Sequence, residues 1–195
     1  MTRLLGVLTA ALLALGPSSV VVEASAQSST EGTHARKVPT RTQWLADVKA
    51  AMQGSRGYVK ERVAAGPDGE MRAINFDIDN TVIATYYDGG GPIPLMSRFS
   101  RLLDRLDVAM VFNTGRLTDQ RTRTIRQLTR AGFPVAGLCL RNKGETLAVG
   151  KQRCRDGFID QGYTLIANVG NNPTDFEGGG YERAYVLPNY GGVLG

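Results

Sequence analysis

Short apolar runs that each end in a polar cluster constrain this chain more than any other feature. Arg72 to Phe76, Val108 to Phe112, Val135 to Leu140 and Tyr163 to Val169 are strand-length and near-continuously apolar, with Arg183 to Leu187 a fifth candidate. Leu95 to Leu106, Leu117 to Ala131 and Ala148 to Gln161 lie between them and read as helices. Strands apolar on both sides and alternating with helices belong in a parallel sheet covered on both faces. The expected class is therefore α/β, a mostly parallel, Rossmann-like sheet flanked by helices. Ahead of it, Arg41 to Met52 has an apolar stripe at Trp44, Leu45, Val48 and Met52, and Tyr58 to Ala64 reads as a second helix. These form an N-terminal helical extension, closed by the turn Ala65-Gly66-Pro67-Asp68-Gly69.

In open parallel sheets the ligand site lies beyond the carboxyl ends of the strands. Here those ends carry Asp77 and Asp79, then Asn113-Thr114-Gly115-Arg116, then Arg141-Asn142-Lys143, then Gly170-Asn171-Asn172-Pro173-Thr174-Asp175. Any one of these clusters alone is adequately explained as a helix cap or a turn. Four in register converge on one crevice. Two competing readings of the acids fail. An EF-hand calcium loop starting at Asp77 needs Gly at its sixth position and Glu at its twelfth, where the chain has Val82 and Asp88. Gly144 to Lys151 has one residue too many for a phosphate loop, and Gln152 stands in place of the Ser/Thr.

The first residues have the layout of a secretory signal. Met1-Thr-Arg3 is positive, Leu4 to Leu15 is apolar, and Ala24-Ser25-Ala26 is a cleavage site, so cleavage is expected after Ala26. A signal anchor over Leu4 to Val22 is the other reading, interrupted by Gly16-Pro17-Ser18-Ser19. Residues 27–39 read as a disordered polar leader, and residues 40–195 as one globular domain without a further membrane segment. The expected location is therefore secreted or extracytoplasmic. Outside the cytoplasm Cys139 and Cys154 either pair or remain two buried thiols. The net charge of +5 is spread over scattered basic residues without aromatic interleaving, so no nucleic-acid polymer is expected as a partner. The lone histidine, His34, lies in the leader. That removes histidine nucleophiles, Ser-His-Asp triads and histidine-rich zinc sites, and no Cys-x5-Arg loop is present.

With these residues in view, the chain resembles phosphohydrolases of the haloacid dehalogenase (HAD) superfamily, most of all the secreted acid phosphatases of plant and class B bacterial type. "FDIDNT" matches the first motif of that family, "VFNTGR" the second and "GNNPTDF" the fourth. The run "KQRCRDGFIDQGY" is similar to the segment that carries the family's lysine, which makes Lys151 the phosphate-site lysine; Lys143 is the alternative. The resemblance covers about residues 40–195. It implies an aspartyl-phosphate mechanism. Asp77 is the nucleophile and Asp79 the acid and base. Thr81, Thr114, the Gly115 N–H and a lysine hold phosphoryl oxygens, while Arg116 either contacts substrate or, the favoured reading, holds the second loop. It also implies Mg2+, held by Asp77, Asp79, Asn171 and Asp175. Asn171 stands where this family normally has an acid, an exchange also found in the lipin-type members.

Little sequence separates Ile83 from Pro94, so the cap is expected to be minimal and the site open to small phosphomonoesters. Nucleotide and lipid-phosphate phosphatases are narrower versions of the same reading. A weak or inactive member that binds phosphate, stores it or contacts the cell envelope is the alternative from another class. Oligomeric state is not encoded in any feature of the chain.

Overall fold

The computed structural model describes residues 38–194; the expected signal segment, His34 and most of the leader lie outside the described residues. The Pro39 carbonyl already accepts the Tyr87 hydroxyl at 2.7 Å, which ties the start of the described chain to the cap. Thr40 then caps the first helix by accepting the Gln43 N–H at 3.2 Å. In chain order the elements are α1 (Arg41–Ala51), α2 (Ser55–Ala65), β1 (Arg72–Phe76), β2 (Ile83–Ala84), α3 (Thr85–Asp88), β3 (Gly91–Pro92) and α4 (Pro94–Arg105). These are followed by β4 (Ala109–Leu117), α5 (Arg121–Arg130), β5 (Gly137–Arg141), α6 (Leu147–Asp160), β6 (Thr164–Gly170) and β7 (Ala184–Val186).

Five strands pair in the order β5-β4-β1-β6-β7, every pair parallel. Chain order reverses beside β1, and the crevice at such a reversal is where ligands bind in these sheets. The period of two sorts β1 between two faces. Ile74 and Phe76 join the main core with Met110, Phe112, Leu128 and Trp44. Ala73 and Val111 turn to the other face, where they meet Phe158 of α6 and Leu165. Phe76 packs at 6.1 Å from Phe112 and 6.4 Å from Phe99, centroid to centroid, which seats α4 on the sheet.

Three expected elements are redrawn. The second strand runs on to Leu117 instead of stopping at Phe112, because Leu117 pairs with Arg141 after an irregularity that follows Thr114. The helix expected from Leu117 therefore starts at Arg121, after a 3-10 turn over Thr118–Gln120. The "YYDGGGP" segment, expected to be a loop, contains the turn of helix α3 and a two-stranded antiparallel ribbon, β2 with β3. Gly90 has φ +93°, and a Cβ there would run into the Gln127 side chain, so the ribbon closes on α5 only with glycine at this position.

α1 braces this small cap. Trp44 stacks on Tyr87 at 4.8 Å, and Arg41 pairs with Asp88 at 2.7 Å. On the opposite side of the sheet Cys139 of β5 and Cys154 of α6 form a disulfide, with their Cα atoms 5.5 Å apart. It closes a 15-residue separation, so Cys139→Ser with Cys154→Ser is expected to cost about 3 kcal/mol in denaturant unfolding.

Acid stability follows from two carboxylates. Arg62 holds Glu70 down at about 2, from an ordinary 4.5, and Arg153 does the same for Glu145. A carboxyl lowered in the folded state stabilises fully above its unfolded value and loses that contribution as pH falls toward its folded value. The thermal midpoint is therefore expected to decline as pH falls from about 4.5 toward 2, with a shallower decline in Glu70→Gln.

Candidate active site

β1 delivers the chain into a tight turn. The Asp77 N–H is bonded to Val169 of β6 at 2.9 Å, which keeps the backbone in register as far as the first carboxylate. Beyond it, the Ile78 carbonyl accepts the N–H groups of Thr81, Val82 and Ile83 at 3.1–3.2 Å. Asn80 sits at φ +54°, a left-handed conformation that Asn tolerates better than most residues. The turn leaves Asp77 buried, with Thr81 Oγ1 donating to its Oδ2 at 3.2 Å. Asp79 stays partly open to solvent, its side chain 36% exposed.

Lys151 comes from α6 on the other side of the crevice. Its Nζ lies 2.5 Å from Asp77 Oδ1, 2.5 Å from Asp175 Oδ1 and 3.1 Å from the Asn113 carbonyl. The Asp77 contact is a well-directed hydrogen bond, whereas the Asp175 contact is a charge contact whose geometry leaves Oδ1 without a directed partner. Burial favours the neutral amine, but the two carboxylates outweigh it and raise the ammonium's pKa. Burial also pushes the Asp77 carboxyl up, to about 6, against the pull of Lys151, because Asp175 shares the same ammonium. The alternative lysine, Lys143, is exposed in the turn after β5 and makes no hydrogen bond or ion pair among the described residues, so it does not join this cluster.

Arg116 meets Asp79 as a fork, with Nε on Oδ2 at 2.8 Å and Nη2 on Oδ1 at 2.7 Å. Thr85 Oγ1 adds a third bond at 2.6 Å. Burial raises the Asp79 pKa, but these donors overcome it and hold the carboxyl below the usual range. The Arg116 Nη1 is itself held by Gln127 Oε1 at 2.8 Å and Thr124 Oγ1 at 3.3 Å. Thr114 is buried beside the Lys151 contact at Asn113, and its Oγ1 accepts the Arg116 N–H at 3.2 Å. Gly115 follows it on the same strand and abuts Leu147, which a Cβ at that position would strike at 2.6 Å.

The fourth cluster gathers around Asp175. Asp175, expected among the metal ligands, has Oδ1 against Lys151, while Oδ2 takes the N–H groups of Asn171 and Asn172 at 2.9 and 2.8 Å. It therefore positions the loop and the lysine. Gly170 is required by this approach, because a Cβ there would collide with the Asp175 side chain. Asn171 donates Nδ2 to the Leu194 carbonyl at 2.8 Å, and Asn80 donates to the same oxygen at 2.8 Å. The chain near its end thus clasps the first and fourth clusters together. A carboxylate at 171 has no proton to give that carbonyl, which accounts physically for the amide.

Of the expected metal ligands, the Asp77 carboxylate already takes Lys151 and Thr81, the Asp79 main-chain carbonyl is a hard oxygen by type, and Asn171 Oδ1 accepts from Asn172 at 3.3 Å. By type this set fits a hard divalent cation. With one neutral amide among them it fits weak binding. Among the described residues no group of three or more His, Cys, Asp or Glu side chains is arranged to hold an ion.

Four contributors escaped the sequence reading: Arg155, Asn80, Gln127 and the Leu194 carbonyl. Arg155 is fully buried one helical turn after Lys151. It binds the carbonyls of Asp175 and Gly179 at 2.7 Å and also that of Glu177, pinning the loop after β6. Its spacing of four from Lys151 on one helix face was the only signal available. Nothing local in sequence pairs Asn80 with residue 194.

A parallel α/β sheet with paired aspartates after its first strand, a hydroxyl and arginine on the neighbouring strand and a buried lysine defines a phosphohydrolase of the HAD type. The chain belongs to the HAD superfamily, subfamily IIIB (acid phosphatase), whose model matches residues 85–193, and it is a phosphoric monoester hydrolase by class. That match begins after Asp77 and Asp79, so these two acids rest on the geometry described above. The fold is similar to solved structures of the class C acid phosphatase from Bacillus anthracis, one of them with tungstate bound. Each is 19% identical at a TM-score of 0.63, over 77% of this chain and 79% of that one. No curated protein matches the sequence.

Asn171→Asp replaces a donor by a charge facing the Leu194 carbonyl in a buried site. In the presence of chelator it is expected to lose about 1–3 kcal/mol in urea unfolding. Magnesium should recover more stability in the variant than in the parent, because a carboxylate is the better ligand.

Proposed function

We propose that the protein is a secreted phosphomonoesterase acting through an aspartyl-phosphate on Asp77. The observation that carries this reading is the Lys151 ammonium 2.5 Å from the buried Asp77 carboxylate, with Thr81 on its second oxygen. A phosphoryl group entering the crevice meets Asp77 at the end of β1 and the Thr114 hydroxyl and Gly115 N–H at the end of β4. Lys151 and Arg116 supply fixed positive charge for the equatorial oxygens. In the resting protein Asp79 is ionised by Arg116. An incoming phosphate competes for the same fork, and release of Arg116 lets the Asp79 carboxyl take up the proton it must deliver.

Asp77 then forms a bond to phosphorus as the ester P–O bond breaks, and Asp79 gives its proton to the leaving oxygen. In the second half Asp79 takes a proton from water as that water attacks phosphorus. The aspartyl P–O bond breaks, releasing orthophosphate and restoring Asp77. Asp77, the Asp79 carbonyl and Asn171 would hold a divalent cation, with magnesium suited to oxygen donors. Such an ion, when bound, neutralises phosphoryl charge. Secretion is supported by the leader in residues 1–26 and by the Cys139–Cys154 disulfide. The low cap of α3 and the β2–β3 ribbon supports small phosphomonoesters as substrates.

The test is phosphate release from phenyl phosphate by the purified protein, with magnesium and with chelator. Asp77→Asn is expected to lower turnover at least about a thousandfold, on the scale of nucleophile removal, while remaining folded by circular dichroism. A folded parent protein without turnover at any pH, but binding orthophosphate, would establish a phosphate-binding member of the family instead.

A further inference from the structure

Residues Arg123, Arg126 and Arg130 are placed three and four apart on α5, so they share one helix face. All three are exposed, and none forms an ion pair among the described residues. Like charges at this spacing weaken a helix unless something neutralises them. No Asp or Glu does so here. The face borders a cavity of about 660 Å³ whose far wall is the glycine ribbon and Pro92, and no acid lines it. The nearby Asp88 is already paired with Arg41.

This cavity adjoins a smaller cleft that leads toward the side chains holding Asp79. The cleft, of about 280 Å³, shares Gly89, Arg123 and Gln127 with it and reaches Thr85 and Arg116, the two side chains that hold Asp79. Gln127 is the common wall: its Oε1 accepts from Arg116, and it packs against Gly90 of the ribbon. A molecule whose phosphate sits on Arg116 can therefore extend along this cleft toward guanidinium groups that lack partners among the described residues. Guanidinium forks match phosphate oxygens in pairs, and convergent charge in a cleft raises the local concentration of anions.

We propose that the α5 face and the glycine ribbon form a second anion subsite, and that the preferred substrates are phosphomonoesters carrying a second phosphate elsewhere in the molecule. The proposal rests on the phosphatase reading for its reaction. Its binding site stands on the cavity alone.

The experiment compares fructose 1,6-bisphosphate with fructose 6-phosphate as substrates, with phenyl phosphate as the reference. For the parent protein, kcat/KM is expected to be about tenfold higher for the bisphosphate at low ionic strength, through KM, and the advantage should shrink with added salt. In the triple variant R123Q/R126Q/R130Q the preference disappears while phenyl phosphate turnover is retained. Equal kcat/KM for the two sugars in the parent, or equal loss on all three substrates in the variant, would overturn the subsite. If phenyl phosphate is not hydrolysed at all, the phosphatase reading fails and calorimetric titration decides the subsite by itself. Tighter binding of the bisphosphate that is lost in the triple variant upholds the subsite, and binding of both sugars alike refutes it.

Discussion

The ammonium of Lys151, shared between Asp77 and Asp175, is the contact on which the rest of the site depends. It joins three elements that are far apart in sequence: the end of β1, the helix α6 and the loop after β6. Burying three charges is costly, and such a group persists only where most of the remaining hydrogen-bonding positions are filled. Here the Asn113 carbonyl takes another of the ammonium protons, Thr81 satisfies the second oxygen of Asp77, and two backbone N–H groups satisfy Oδ2 of Asp175, whose Oδ1 keeps only the charge contact with Lys151. The supports behind these contacts are covalent and charged in turn. The disulfide ties α6 to β5, and buried Arg155 ties the same helix to the loop that carries Asp175.

Charge balance helps to hold the site together. Asp77, Asp79 and Asp175 are matched by Lys151 and Arg116, leaving one net negative charge. An acid at position 171 would add a second, and it would sit against the Leu194 carbonyl. The amide found there turns that point into a donor and links the first and fourth clusters through the chain's last turn. The exchange therefore has a structural return even as it weakens the set of metal ligands. Around this centre the surface is divided: acids line the crevice, while the adjoining face of α5 presents arginines without partners. A phosphate ester with charge at both ends fits that division.

Much of the fold was legible in the chain because its signals are local and repeated. Apolar runs at strand length and helical stripes between them were enough for a parallel α/β sheet, and the polar residues ending each run located the crevice. Asp77, Asp79 and Thr114 were legible for the same reason, since each closely follows the apolar run that carries it. The extended reach of β4 to Leu117 was not, because it depends on pairing with Arg141 across a bulge. Nor was the ribbon in the glycine-rich segment, whose two strands are two residues long and are set by packing against α5 and α1. Lys143 and Lys151 both follow strand β5, and sequence alone could rank them only by resemblance.

What the sequence by itself determined is the order of the elements, the face each strand buries and the residue types at the strand ends. These depend on periodicity and on neighbours within a few positions, which the chain carries wherever it is. Only the tertiary structure decided which charges meet. That Lys151 reaches two aspartates, that Arg116 locks Asp79, that Cys139 and Cys154 pair and that residue 194 returns to Asn80 and Asn171 are contacts between residues 15 to 114 positions apart. They exist because the sheet order places β1 between β4 and β6, and ion pairs and hydrogen bonds form only at the distances that placement creates.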